Sequence, residues 1–62
     1  MPVIEVKTWA GKSPEVKATI IEGITKVFEG LGIPATSVTV MILDVPKDSW
    51  GMGGKPASQT HS

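Results

Sequence analysis

Two segments of this chain carry apolar residues at strand-like spacing, and the segment between them repeats at the spacing of a helix. Residues 2–9, Pro-Val-Ile-Glu-Val-Lys-Thr-Trp, are rich in β-branched side chains and predict a strand. Ala10-Gly11-Lys12 reads as a short turn. Ser13-Pro14-Glu15 has the chemistry of a helix start: Ser13 as cap, Pro14 where a missing N–H is harmless, and Glu15 facing the positive end of the dipole. Apolar residues follow at Val16, Ile20, Ile21, Ile24, Val27, Phe28 and Leu31, a stripe of three and four spacings. Lys17, Glu22, Thr25, Lys26 and Glu29 fill the opposite face. Gly30 and Gly32 end the helix, and Pro34 prevents its resumption.

Residues 37–45, Ser-Val-Thr-Val-Met-Ile-Leu-Asp-Val, predict a second strand with a different pattern. Val38, Val40 and Ile42 are apolar on one face, and Met41, Leu43 and Val45 on the other. Both faces require burial, as in a parallel strand covered on two sides. One helix covers one face, so a second subunit must cover the other. Strand, helix, strand in this order predicts an α/β fold, a single right-handed βαβ subunit with parallel strands. The tail from Pro46 carries Gly51, Gly53 and Gly54 and predicts a turn or short hairpin reaching a neighbouring subunit. Residues 59–62 read as loose. One domain, 1–62, accounts for the whole sequence.

Size sharpens the argument for assembly. A chain of 62 residues buries only about 60% of its unfolded surface, so a lone subunit is marginal. Small folds compensate with disulfides, a metal or partner subunits. The chain has no cysteine, and its one histidine, His61, is next to last with no ligating neighbours, so association is the route that remains. Six acidic residues balance six lysines, and arginine is absent. That leaves no basic stripe for a nucleic acid backbone. No apolar run reaches the roughly 18 residues of a membrane span, and the start lacks the features of a signal peptide, so a cytoplasmic location is expected.

Candidate chemistry is sparse. Pro2 follows the initiator methionine directly, and a small residue there normally permits removal of Met1. The product is a secondary amine at the start of a strand; α-amino groups titrate around 8, close enough to neutrality to serve as a general base. Gly11-Lys12-Ser13 fails as a P-loop, since the required earlier glycine falls at Val6. Lys12 still sits just before a helix N-terminus, where an anion is favoured; the alternative is a solvated turn lysine. Gly51-Met52-Gly53-Gly54 reads as a glycine turn. Trp50 and Trp9 each fit either an interface anchor or an aromatic wall. Asp44 and Asp48 flank a turn and are expected to be solvated. No catalytic triad, paired catalytic carboxylates or metal cluster can be assembled, which leaves Pro2 or a lysine as the reacting group.

Over nearly its whole length the chain resembles the 4-oxalocrotonate tautomerase family. The resemblance rests on Met1-Pro2 before a strand, Gly11-Lys12-Ser13, Ser37-Val38-Thr39-Val40, residues 47–54 (Lys-Asp-Ser-Trp-Gly-Met-Gly-Gly) and Ala57-Ser58. It implies βαβ subunits paired into dimers and built into a homohexamer, a trimer of dimers with sites between subunits. It also implies Pro2 as general base, moving a proton between the enol and conjugated keto forms of a small unsaturated acid, with no cofactor and no metal. Substrate-binding roles fall at Lys12 and Thr39, where the family has arginines, and at Trp50, the aromatic that walls the pocket. Lysine keeps the charge at 12 without the bidentate fork, and Thr39 removes the second cation, which favours a smaller or monocarboxylate substrate. Alternatives are a proline-based hydratase, dehalogenase or decarboxylase, an oligomeric module that kept the fold without the site, and, ranked last, a pyridoxal or Schiff-base enzyme using a lysine.

Overall fold

The computed structural model describes residues 1–61; the expected looseness of Ser62 lies outside the described residues. Strand β1, Val3–Trp9, leads into helix α1, Pro14–Glu29, and returns through a 3-10 turn at Ala35–Ser37 to strand β2, Thr39–Val45. A second 3-10 turn, Lys47–Ser49, precedes a small hairpin of β3, Gly51–Met52, and β4, Lys55–Pro56; helix α2, Ala57–Thr60, follows. β1 and β2 pair in parallel, from Val3 opposite Thr39 to Trp9 opposite Val45. This is the βαβ unit with a tail hairpin that the sequence predicts.

Local chemistry explains each boundary. Pro2 has no N–H to give the ladder, so the strand starts one residue later than expected, although its carbonyl accepts the Thr39 N–H at 3.0 Å. Ser13 caps α1 by accepting the Val16 N–H at 3.3 Å. The helix closes with the Gly30 N–H donating to the Lys26 carbonyl at 3.0 Å. On its exposed side Glu22 and Lys26 pair at 3.0 Å one turn apart, and the Glu22 hydrogen bond raises the Lys26 pKa. Ser37 belongs to the 3-10 turn rather than to β2, because the Ser37 and Val38 N–H groups bond back to Pro34 and Ala35 at 2.9 and 3.1 Å. In the hairpin, Gly53 (φ 63°) and Gly54 (φ 82°) occupy both left-handed positions of a two-residue loop, which side-chain-bearing residues adopt only at a cost.

One face of the sheet meets the helix. Ile4, Val6, Val40 and Ile42 lie half-buried there, together with Ile20, Ile24 and Phe28 from α1. Lys17 of α1 bonds to Asp44 of β2 across the same boundary. Asp44 is exposed, as its turn position suggests, and is also paired. The other face carries Val3, Met41 and Leu43, which are 57%, 43% and 39% exposed. Val27 on the helix and Leu31 in the turn just beyond it are 65% and 72% exposed.

Among the described residues only Ala57 is fully buried. The radius of gyration is 14.5 Å, against about 11 Å for a compact chain of this length. The subunit is a plate 13 Å thick in its thinnest direction, two layers with one uncovered side. Both faces of β2 carry apolar residues and only one is covered, which is the physical case for a second subunit.

The tail departs from expectation. Gln59 and Thr60 are helical in α2, and His61 packs its ring on Trp9 at 5.3 Å between centroids. The Ala57 N–H donates to the Trp50 carbonyl at 2.7 Å, and the His61 N–H to the Ala57 carbonyl at 2.7 Å. These bonds, with the long-range packing of His61 on Trp9, hold a polar, glycine-flanked segment that reads as loose from composition alone.

Candidate active site

Parallel pairing gives the sheet two chemically distinct ends. Pro2 and Thr39 stand together at the end where both strands begin, joined by the hydrogen bond between the Thr39 N–H and the Pro2 carbonyl. Pro2 is half-buried, and Met1 projects beyond it at 95% exposure. With Met1 attached the Pro2 nitrogen is a tertiary amide and has no basic lone pair. Because Met1 is so exposed, its removal uncovers the amine without dismantling packing.

Lys12 and Trp50 belong to the opposite end. The seven residues of β1 carry the chain about 20 Å from Val3 to Trp9 at the rise of a parallel strand. There the Ala10 N–H donates to the Val45 carbonyl at 3.0 Å, Gly11 turns at φ 110°, and the half-buried Lys12 precedes the capped N-terminus of α1. Trp50 reaches the same end by packing edge-to-face on Trp9, with ring centroids 6.0 Å apart and planes at 78°. Its backbone is fixed on both sides: its N–H donates to Lys47 at 3.3 Å, and its carbonyl accepts from Ala57. Within one subunit, then, the sequence-predicted residues stand at two ends of the sheet, Pro2 with Thr39 at one and Lys12 and Trp50 at the other, and the strand length holds them apart.

A group that sequence reasoning does not assemble surrounds Trp9. The Lys47 ammonium lies 4.8 Å from the Trp9 ring centroid, and the same ammonium donates to the His61 carbonyl. His61 Nδ1 and Thr60 Oγ1 are 2.8 Å apart. The Trp9 indole N–H is buried with no acceptor among the described residues. The sequence separates Trp9 from Lys47 and His61 by most of the chain, and no local periodicity signals their contact. Among the described residues no group of three or more His, Asp or Glu side chains is placed to hold a metal ion, and no helix is long and apolar enough to cross a membrane.

Comparison with known proteins gives this architecture its class. Residues 2–59 match the tautomerase family, described as tautomerase enzymes. The 2-hydroxymuconate tautomerase of Comamonas testosteroni is 38% identical over 60 residues, covering 95% of each chain. A 2-hydroxymuconate tautomerase of Pseudomonas putida is 35% identical over 60 residues, again 95% of each. Among solved structures, a 4-oxalocrotonate tautomerase isozyme from Methylibium petroleiphilum superimposes with a TM-score of 0.90 at 35% identity, covering 98% of this chain and all of its own. The chain belongs to the tautomerase family, and as a tautomerase it is an isomerase.

Proposed function

We propose that the chain catalyses cofactor-independent keto–enol isomerisation of a small unsaturated carboxylic acid, with Pro2 as general base after loss of Met1. The observation that carries this reading is the position of Pro2. The family match begins at that residue, and it stands at the head of the parallel ladder with only the exposed Met1 beyond it. In the proposed reaction the neutral Pro2 nitrogen takes the enol O–H proton. The oxygen electron pair closes the carbonyl, and the conjugated double bond shifts along the chain. The Pro2 ammonium then returns its proton to the far carbon, so that bonds and charges balance and the amine is regenerated.

Lys12 is proposed to bind the substrate carboxylate and stabilise the dienolate, the species whose charge governs the barrier. Trp50 is proposed to wall the pocket and keep it apolar. Both effects, low polarity and a nearby cation, disfavour the protonated form of the amine and keep Pro2 neutral at working pH. Thr39, beside Pro2, contributes a hydroxyl where family members carry arginine. The pocket thus has one fewer cation, and a substrate with a single carboxylate fits it better than a dicarboxylate.

The separation of Pro2 from Lys12 supports sites shared between copies of the chain. The reading includes a homo-oligomer acting in the cytoplasm as one domain, 1–62, with a hexamer as its full assembly. A 4-oxalocrotonate tautomerase of the same fold from Chloroflexus aurantiacus J-10-fl, 23% identical with a TM-score of 0.86, is a heterohexamer. The test is direct. Protein purified without a tag is weighed intact, then assayed by ultraviolet absorbance on mono- and dicarboxylate enols. Met-free protein is expected to isomerise an enol acid and Pro2→Ala to lose that activity; Met-free, oligomeric protein inert toward every enol acid would sink the proposal.

A further inference from the structure

We infer that Trp9 is a positioning residue, whose ring fixes the orientation of Trp50 and ties that wall to the loop carrying Lys12. The inference rests on the tautomerase reading above and extends it to a residue with no part in the proton transfer. Trp50 lies between a three-residue 3-10 turn and a two-stranded hairpin, elements too short to hold a large side chain by themselves. Its ring meets Trp9 at 6.0 Å and 78°, the edge-to-face arrangement that aromatic pairs prefer.

Trp9 is well anchored for this task. It is the last residue of β1, paired with Val45, and the next N–H continues the ladder to the Val45 carbonyl. Lys47 covers its ring at 4.8 Å, and the His61 ring packs beside it at 5.3 Å. Lys12 follows three positions later in the chain. One side chain therefore couples the proposed cation loop to the proposed aromatic wall. The ring, not the indole N–H, performs this task, because that N–H is buried and contacts no acceptor among the described residues.

Trp9→Phe keeps an aromatic edge and loses the N–H, whereas Trp9→Leu keeps apolar bulk and loses the edge. We expect Trp9→Leu to lower kcat/KM about fivefold to tenfold and to move the acid limb of its pH profile upward, with Trp9→Phe close to wild type. In a double-mutant cycle, Trp9→Leu added to Trp50→Leu should cost little more than Trp50→Leu alone. Fully multiplicative losses overturn the inference, and so does a Phe variant as impaired as Leu, which would assign the N–H a direct contact. A second readout is independent of catalysis. The chain has two tryptophans, so both Trp9 variants leave Trp50 as the only indole. Acrylamide should quench Trp50 more strongly in Trp9→Leu than in Trp9→Phe; equal quenching rejects the positioning role whether or not the protein is active. An inert wild type with unequal quenching rejects the proposed reaction and leaves the Trp9 assignment standing.

Discussion

As the proposed base Pro2 acts only as an amine, so the proposal turns on one bond, the peptide to Met1. Retaining Met1, or extending the chain with an N-terminal tag, is expected to abolish isomerisation while leaving fold and assembly intact. Circular dichroism and sedimentation on the tagged protein check this. Pro2→Ala leaves a primary amine with no ring to fix it, and general acid–base catalysis of this kind is worth about 10² to 10⁴-fold, the loss expected in kcat. Activity should rise with pH through the pKa of the amine, since only its neutral form accepts a proton. Lys12 is a test of binding instead. Lys12→Ala should raise KM about 10- to 100-fold, the worth of a charge-assisted hydrogen bond, whereas Lys12→Arg should lower KM for dicarboxylates by supplying the fork that lysine lacks.

At the scale of elements, the tail hairpin begins directly after Trp50 and turns on two glycines. Gly53 and Gly54 lie at φ 63° and 82°, and a Cβ at either meets nothing within 4 Å, so substitution is opposed by backbone conformation alone. Gly54→Ala is expected to cost about 1–2 kcal/mol, read from denaturant midpoints at fixed protein concentration. The contact between Lys17 and Asp44 is partly exposed, at 32% and 36%, and Asp44→Asn should cost less than about 1 kcal/mol. Elements of this kind differ in how legible they are. The capped helix and both strands follow from signals within a few residues, such as Ser13-Pro14-Glu15 and the β-branched runs. The two-glycine loop is equally local. Helix α2 is not, because Ala57–Thr60 is held by the Trp50 carbonyl and by His61 packing on a tryptophan from the other end of the sequence. Composition registers the polar residues of the tail and has no access to those partners.

For the whole molecule, the pattern of β2 already demands a second covering layer, and the exposed Val3, Met41 and Leu43 show which face is uncovered. What the pattern could not supply was distance: Pro2, Lys12 and Trp50 are named readily from the sequence, yet their division between two ends emerges only from the parallel register. Leu43→Lys on the uncovered face is expected to release smaller species in sedimentation and to lower activity in the same proportion. Retained activity in a verified single subunit would contradict the shared site.

The direction of the two strands has a genetic corollary. If each chain lends its base to one site and its cation to another, a Pro2→Ala chain and a Lys12→Ala chain are impaired for different reasons at different ends, one in turnover and the other in binding. Co-expressed and mixed, they can each supply what the other lacks. In every mixed pair one pocket then receives both intact groups while its twin receives neither, so two defective alleles together restore, at low substrate, a rate that neither reaches alone.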